Sequence, residues 1–227
     1  MKQQSLIGAA LILGLISPSC VFAQVLPIQQ KYIEDGKKNW SWAASAQAVL
    51  EYFGVNKSQA EIGDYGTNGH DVPNFLHGNG DLNRHGVDEI LLDFGDIEAW
   101  GHNSAMAPEK IFLRINYFRA PVLIRWAQDY GDDSNTGPGD RIIVVKGALY
   151  RDRTLYLMLM DPIDGTYEKD YDWVVQGAGH IWAESLEIVT RPPFVEKLTA
   201  SEDSGRIPSL IDLNPHNIDW DGIYSGK

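Results

Sequence analysis

Apolar and polar positions divide this chain into a first half with helical spacing and a second half of short apolar runs. Over residues 40–54, Ala44, Ala48 and the Leu50-Tyr52-Phe53 group form an inward stripe, and Gly54 stands where a helix C′ cap belongs. The pattern predicts one helix there. A second, short helix is predicted over 58–64, because Ser58 can cap it and Glu61, three residues on, completes a capping box. Two more are predicted over 87–94 and 108–117. In the latter Pro108 suits the first turn, and Ile111, Phe112 and Ile115 repeat at helical spacing. Residues 64–85 are rich in Gly, Asn, Asp and His and read as an irregular surface loop.

Beyond residue 120 the period changes. Val122-Leu123-Ile124, Ile142-Ile143-Val144-Val145 and Leu155-Tyr156-Leu157-Met158-Leu159-Met160 are strand-like runs separated by turn clusters. The last two could form a hairpin across residues 150–153, and a further strand is expected over 181–189. Helices first and strands after predict an α+β domain, a helical half packed on a sheet half. From Pro192 the composition turns to Glu, Ser, Asp, Gly and Pro, so 192–227 is expected to be an acidic tail, loosely docked or disordered.

The N-terminus changes the domain count. Lys2 is followed by an apolar run from Leu6 to Ile16, and Val21-Phe22-Ala23 ends in a small residue. A run of 11 residues (16 − 6 + 1) is too short to cross a bilayer, which takes roughly 20. Residues 1–23 are therefore expected to be an export signal, with a single domain over 24–191 and a periplasmic or secreted location. Cys20, the only cysteine, lies inside that signal. A lipoprotein site at Cys20 is disfavoured by Ser17 three positions before it. A chain cleaved after Ala23 has no disulfide and no thiol nucleophile. The net charge of −12, or −13 (−12 − 1) without Lys2, argues against nucleic acid and anionic membrane surfaces as partners.

Asn39-Trp40-Ser41-Trp42-Ala43-Ala44 resembles the nucleophile motif of bacterial papain-like cysteine peptidases, the C39-like and C70-type families, which read Trp-Cys-Trp-Ala-Ala there. The resemblance continues in order through Pro27-Ile28-Gln29-Gln30, the stretch from Gly54 to Ile62, and Ala120-Pro121-Val122-Leu123-Ile124. It ends with Gly139-Asp140-Arg141-Ile142-Ile143-Val144-Val145 and Met160-Asp161-Pro162-Ile163-Asp164-Gly165. It spans roughly residues 25–190 and implies a papain-like fold, with the nucleophile-position helix packed on an antiparallel sheet.

In such a site a cysteine at a helix N-terminus is held as thiolate by a histidine, an Asn or Asp orients that histidine, and a glutamine donates to the oxyanion. The resemblance puts Ser41 at the nucleophile position and Asp140 at the histidine position. It leaves Asp161 as the orienting residue and Gln30, or Gln29, as the oxyanion donor. A serine hydroxyl depends on a base, and an aspartate of pKa about 3.9 is a poor one at neutral pH. Nucleophile and base act as a unit, so losing both should remove covalent catalysis. A deliberate cysteine-to-serine exchange would also leave Ser41, but it would keep the histidine, so Asp140 speaks for natural divergence.

The chain is thus expected to bind a polypeptide or other ligand through the former substrate cleft without cutting it. The alternative is a working hydrolase that uses Ser41 with a displaced base, and His77, His85 and His180 are the histidines to consider. An Asp140–Asp161 acid dyad is a sharper reading than two solvated carboxylates at a cleft rim, one of them bonded to Arg141 or a Trp N–H; the second is preferred. His70, His77 and His85 share a loop with Asp71, Asp81 and Asp88, but their spacing matches no tight ligand motif. No metal and no cofactor is expected.

Overall fold

The computed structural model describes residues 24–78, 83–128, 141–177, 179–190 and 192. The expected export signal, Asp81, Asp140 and the tail beyond 192 lie outside the described residues. The first half runs β1 (Gln24–Val25), α1 (Ser41–Tyr52), α2 (Gln59–Thr67), α3 (Val87–Gly95), β2 (Ala99–His102) and α4 (Pro108–Asn116). The second runs β3 (Val122–Gln128), β4 (Arg141–Arg151), β5 (Thr154–Asp161), β6 (Gly165–Asp170), α5 (Tyr171–Val175), β7 (Gln176–Gly177) and β8 (His180–Ile188). The strands form one antiparallel sheet in the order β2-β8-β3-β4-β5-β6, with β1 beside β4 and β7 beside β8. The fold is α+β, as expected.

Helix α1 is the centre of the helical half. Alanines at 43, 44, 46 and 48 favour the helix and let neighbours approach closely, and only Gln47, Glu51 and Tyr52 escape full burial. Gly54, at φ 90°, ends it: its N–H donates to Glu51 O (2.9 Å) and the Val55 N–H reaches back to Leu50 O (2.9 Å). That is a Schellman close, which a left-handed glycine makes without strain. The capping box of α2 is present too, with Ser58 Oγ accepting from Glu61 N and Glu61 Oε2 accepting from Ser58 N.

Helix α2 continues to Thr67, so the first residues of the predicted 64–85 loop are helical. The reason is packing against α1. A Cβ added at Gly63 would lie 2.4 Å from the Trp40 ring, and one at Gly66 would lie 2.7 Å from the Trp42 ring. Gly63, in the predicted helix, and Gly66, in the predicted loop, are the sockets for two buried indoles.

On the sheet side, β4 and β5 form the predicted hairpin, closed by Asp152 (φ 50°) and Arg153 (φ 68°) between the paired Arg151 and Thr154. Both central residues at positive φ make a two-residue turn whose twist suits antiparallel strands. Strand β3 extends past Ile124 to Gln128, and β8 occupies the place expected for the last strand. The short elements β1, β2, β6, α5 and β7 were not predicted.

A buried ionic knot joins the two halves. Glu187 on β8 is fully buried and takes Arg114 Nε of α4 at 2.5 Å, Lys110 Nζ at 2.5 Å and His102 Nε2 of β2 at 3.0 Å. Burial pushes its carboxyl up, but the Lys110 hydrogen bond, the Arg114 charge and the His102 contact outweigh that and hold it below the ordinary carboxylate value.

Two measurements probe these contacts. Gly63→Ala and Gly66→Ala should each lower stability by about 1–2 kcal/mol in urea titrations, since overpacking outweighs the helix-propensity gain of about 1 kcal/mol. Increased stability in both variants would refute the socket reading. For Glu187 the folded pKa is depressed, so its contribution is full above the unfolded value of about 4.3 and is lost as pH falls through the lower folded value. Glu187→Gln should cost about 3–5 kcal/mol at pH 7 and flatten the acid limb of the stability–pH curve.

Candidate functional site

The N-terminus of α1 is fixed by the segment that follows α2. Lys38 and Asn39 give their backbone N–H groups to the Asp71 carboxylate (3.0 and 2.8 Å), and Asn39 Nδ2 donates to Asp71 O (3.0 Å). Trp40 Nε1 donates to His70 O and Trp42 Nε1 to Val72 O, both at 3.0 Å. Buried indoles need acceptors, and three consecutive residues supply them together with the carboxylate that holds the chain before the helix. The Trp40-x-Trp42 pair therefore serves to place the first turn of α1.

Two serines then join α1 to the sheet. Ser41 Oγ accepts from Ile142 N (3.2 Å), and Ser45 Oγ, one turn on, donates to Ile142 O (2.8 Å). Pairing of β4 with β5 begins at Val144↔Met160. Continued two residues, that register would set Ile142 opposite Pro162, which has no N–H to give. The serines take both backbone groups instead. Ser41 is 3% exposed and Ser45 is fully buried. Among the described residues no hydrogen bond links Ser41 to a histidine.

The position expected for the orienting residue holds a hub. Asp161 is fully buried and accepts from Ile163 N (2.8 Å), Asp164 N (3.3 Å), Tyr167 Oη (3.1 Å) and Arg141 Nη1 (3.2 Å). Arg141 Nη1 also meets Asp164 Oδ2 at 2.6 Å. Burial disfavours the charge on Arg141, but Asp164 and Asp161 outweigh it and hold the guanidinium above its ordinary pKa. Burial, and then the Asp161 charge, raise the Tyr167 phenol. Gln30 Nε2 donates to Asp161 O (2.8 Å) and Lys31 O (3.1 Å), while its Oε1 accepts from Thr166 Oγ1 (2.9 Å). Its amide is thus engaged by protein groups on both sides.

The structure brings Gln30 against Asp161, and it links Ser41 and Asp161 to the neighbouring β4 residues Ile142 and Arg141. The preferred reading was two solvated carboxylates at a cleft rim, one bonded to Arg141 or a Trp N–H. The Arg141 bond is present at Asp161, but that carboxylate is fully buried and not solvated, because the β5–β6 turn folds its N–H groups and Tyr167 over it. Asp140, the other member of the imagined dyad, lies outside the described residues, and Gln29 donates only weakly, to Pro27 O at 3.5 Å. Sequence reasoning named Arg141 only as one possible partner of a rim carboxylate, weighed Asp71 only for a metal site, and missed Ser45 and Tyr167. A pairing of opposite charges 20 residues apart (161 − 141) was the one signal available for Arg141.

The histidines go elsewhere. His180 is stacked on Trp126 (3.9 Å between centroids), lies edge-on to Trp173, and its Nε2 meets Trp173 O at 3.0 Å. Burial, together with the Arg141 charge, lowers its pKa against the opposing pull of its backbone contacts. His85 stacks on Tyr65 and faces Glu89, His77 lies against Gly101, and His70 offers its carbonyl to Trp40. Among the described residues no group of three or more His, Cys, Asp or Glu converges as metal ligands.

No family model matches this chain, and no curated protein matches it. Solved structures of similar chain course include a double glycine motif protease from an AMS/PCAT transporter in complex with the leader peptide. It is 19% identical, with 75% of this chain and 99% of that one covered and a TM-score of 0.45. A C39-like peptidase from Bacillus anthracis is 10% identical over 75% of this chain and 99% of that one, at 0.48. UfSP from C. elegans is 12% identical over 75% of this chain and 34% of that one, at 0.39. At these values the likeness assigns neither activity nor site residues.

The hub can be tested by stability. Asp161→Ala should cost about 3–5 kcal/mol by removing the buried acceptor of Ile163 N, Asp164 N and Tyr167 Oη and leaving Arg141 only the exposed Asp164. Adding Arg141→Leu to it should recover part of the loss, and a double variant as unstable as the two single costs added together would mean the pair is not coupled.

Proposed function

We propose that this chain is an exported, catalytically silent relative of the papain-like peptidases that binds a polypeptide through the former substrate cleft. The observation that carries this reading is the use made of Ser41: its hydroxyl is buried and accepts the Ile142 N–H, with no base beside it among the described residues. A nucleophile must reach a carbonyl carbon and hand on its proton, and this hydroxyl is placed to hold a strand. The Arg141–Asp161 pair supports the same reading, because the carboxylate that would orient an imidazole is occupied by a guanidinium.

Binding is supported by what borders the hub. Tyr32 (60% exposed) and Ile163 (41% exposed) present apolar surface beside Gln30 and Asp161, the one through its nearness to Gly165 and the other through its bond to Asp161. Apolar groups ringed by amides and carboxylates suit an extended polypeptide.

The test is hydrolysis and binding measured on one preparation of residues 24–227 with a fluorogenic peptide library. Wild type and Ser41→Ala should be equally silent, and Ile163→Glu should weaken capture of the library members that wild type retains by about tenfold. Turnover by wild type that Ser41→Ala abolishes would overturn the proposal. Activity gained in a Ser41→Cys, Asp140→His double variant would support it, since the cleft would then be intact and only its chemistry absent.

A further inference from the structure

A second cleft, of about 290 Å³, lies at the far end of β4 from Arg141. Strand β4 has 11 residues, which separates its ends by roughly 30 Å. Leu155, nearly fully buried, forms part of the lining, and the cleft opens between the starts of α4 and α5. Tyr150 and Tyr171 present rings there. Tyr150 is braced by Phe112 (5.3 Å between centroids), and Tyr171 by its hydroxyl, which donates to Met106 O at 3.1 Å.

Three charges line the same space: Glu109, Asp172 and Arg153. Each carboxylate stands in the first turn of its helix, where the dipole favours it. That explains their presence but not their convergence. Burial first, and then the charges of Asp172 and Glu109, raise the Tyr171 phenol, so both carboxylates act on one ring. Neither has a basic partner within 4.0 Å among the described residues, although Arg153 lines the same cleft. Arg153 sits in the two-residue turn at φ 68° and is exposed.

We infer that this cleft binds an alkylammonium group, with its chain between the tyrosine rings over Leu155 and its charge against Glu109 and Asp172. Aromatic faces attract a cation, and two carboxylates without a basic partner give it hydrogen-bond acceptors. A volume of this size holds one side chain or one small amine. The site is independent of the reading of Ser41 and shares no residue with it. Arg153 opposes the ligand's charge, which yields a variant expected to improve binding.

Titration calorimetry of the full chain with N-acetyl-lysine methylamide tests the inference, with the norleucine analogue as the uncharged control. The lysine derivative should bind and the norleucine one should not. The Glu109→Gln, Asp172→Asn double variant should weaken binding at least about tenfold. Arg153→Asn, which suits the left-handed turn, should tighten it about threefold at low salt. Thermal melts of each variant separate lost binding from lost folding. Butylamine run in parallel identifies the source: weaker binding than the lysine derivative assigns the site to a polypeptide side chain, and equal binding to a free amine. Equal binding of the norleucine analogue, or full affinity in a folded double variant, would overturn the inference.

Discussion

Much of this structure depends on how the first turn of α1 is held to the end of β4. Ile142 pairs with Arg125 of β3, but on its β5 side the register runs into the turn at Pro162, and there its buried N–H and C=O need acceptor and donor from elsewhere. An unmet backbone group in that setting costs about 1–3 kcal/mol, and two would cost more than a marginally stable domain can readily spare. Ser41 and Ser45 meet both from one helix face, and the spacing of four residues sets them one above the other. The helix axis, the strand end and the entry of the chain at Lys38-Asn39 are then mutually fixed. A thiol at position 41 would be a weaker acceptor for the Ile142 N–H, so serine suits this structural task better than cysteine would.

The same constraint organises the charges beside it. Arg141 precedes Ile142, and fixing Ile142 directs the arginine toward the β5–β6 turn, where Asp161 and Asp164 wait. Asp161 is held in turn by two backbone N–H groups and the Tyr167 hydroxyl, so four donors satisfy a carboxylate with no water contact. Gln30 ties the N-terminal segment to the Asp161 carbonyl. The cluster thus connects residues far apart in sequence through hydrogen bonds to backbone and side-chain groups alike.

That is why the fold was more legible than the site. Helix α1 with its Gly54 close, the Ser58–Glu61 box and the β4–β5 hairpin each carry a local signal, a period or a cap. Strand β6 carries none: Gly165-Thr166-Tyr167-Glu168-Lys169-Asp170 is a charged edge strand, and its form comes from pairing with β5. Strands β1 and β7 are two residues each and exist only as partners of β4 and β8. Gly66 misled, because glycine is loop composition until an indole needs the space. In the site, Ser41, Asp161 and Gln30 were found through a family resemblance. Ile142 acts through its backbone groups, and Asp71 through a carboxylate bonded to the backbone of distant Lys38 and Asn39, pairings that no local pattern advertises.

Electrostatics adds a last step. The hub sums to one guanidinium against two carboxylates, a local excess of one negative charge. A thiolate at position 41 would add a second beside it, helped by the helix dipole but without an imidazolium to balance it. A nearby negative charge without a balancing cation raises a thiol's pKa and favours its neutral form, which is a weak nucleophile. Cysteine alone would therefore restore little chemistry, and the field that disfavours a thiolate also favours cationic groups at the rim. On the proposed reading, a base and a thiol have to be supplied together, because neither a cysteine at position 41 without an imidazole nor a histidine beside the strand-holding Ser41 makes a nucleophile.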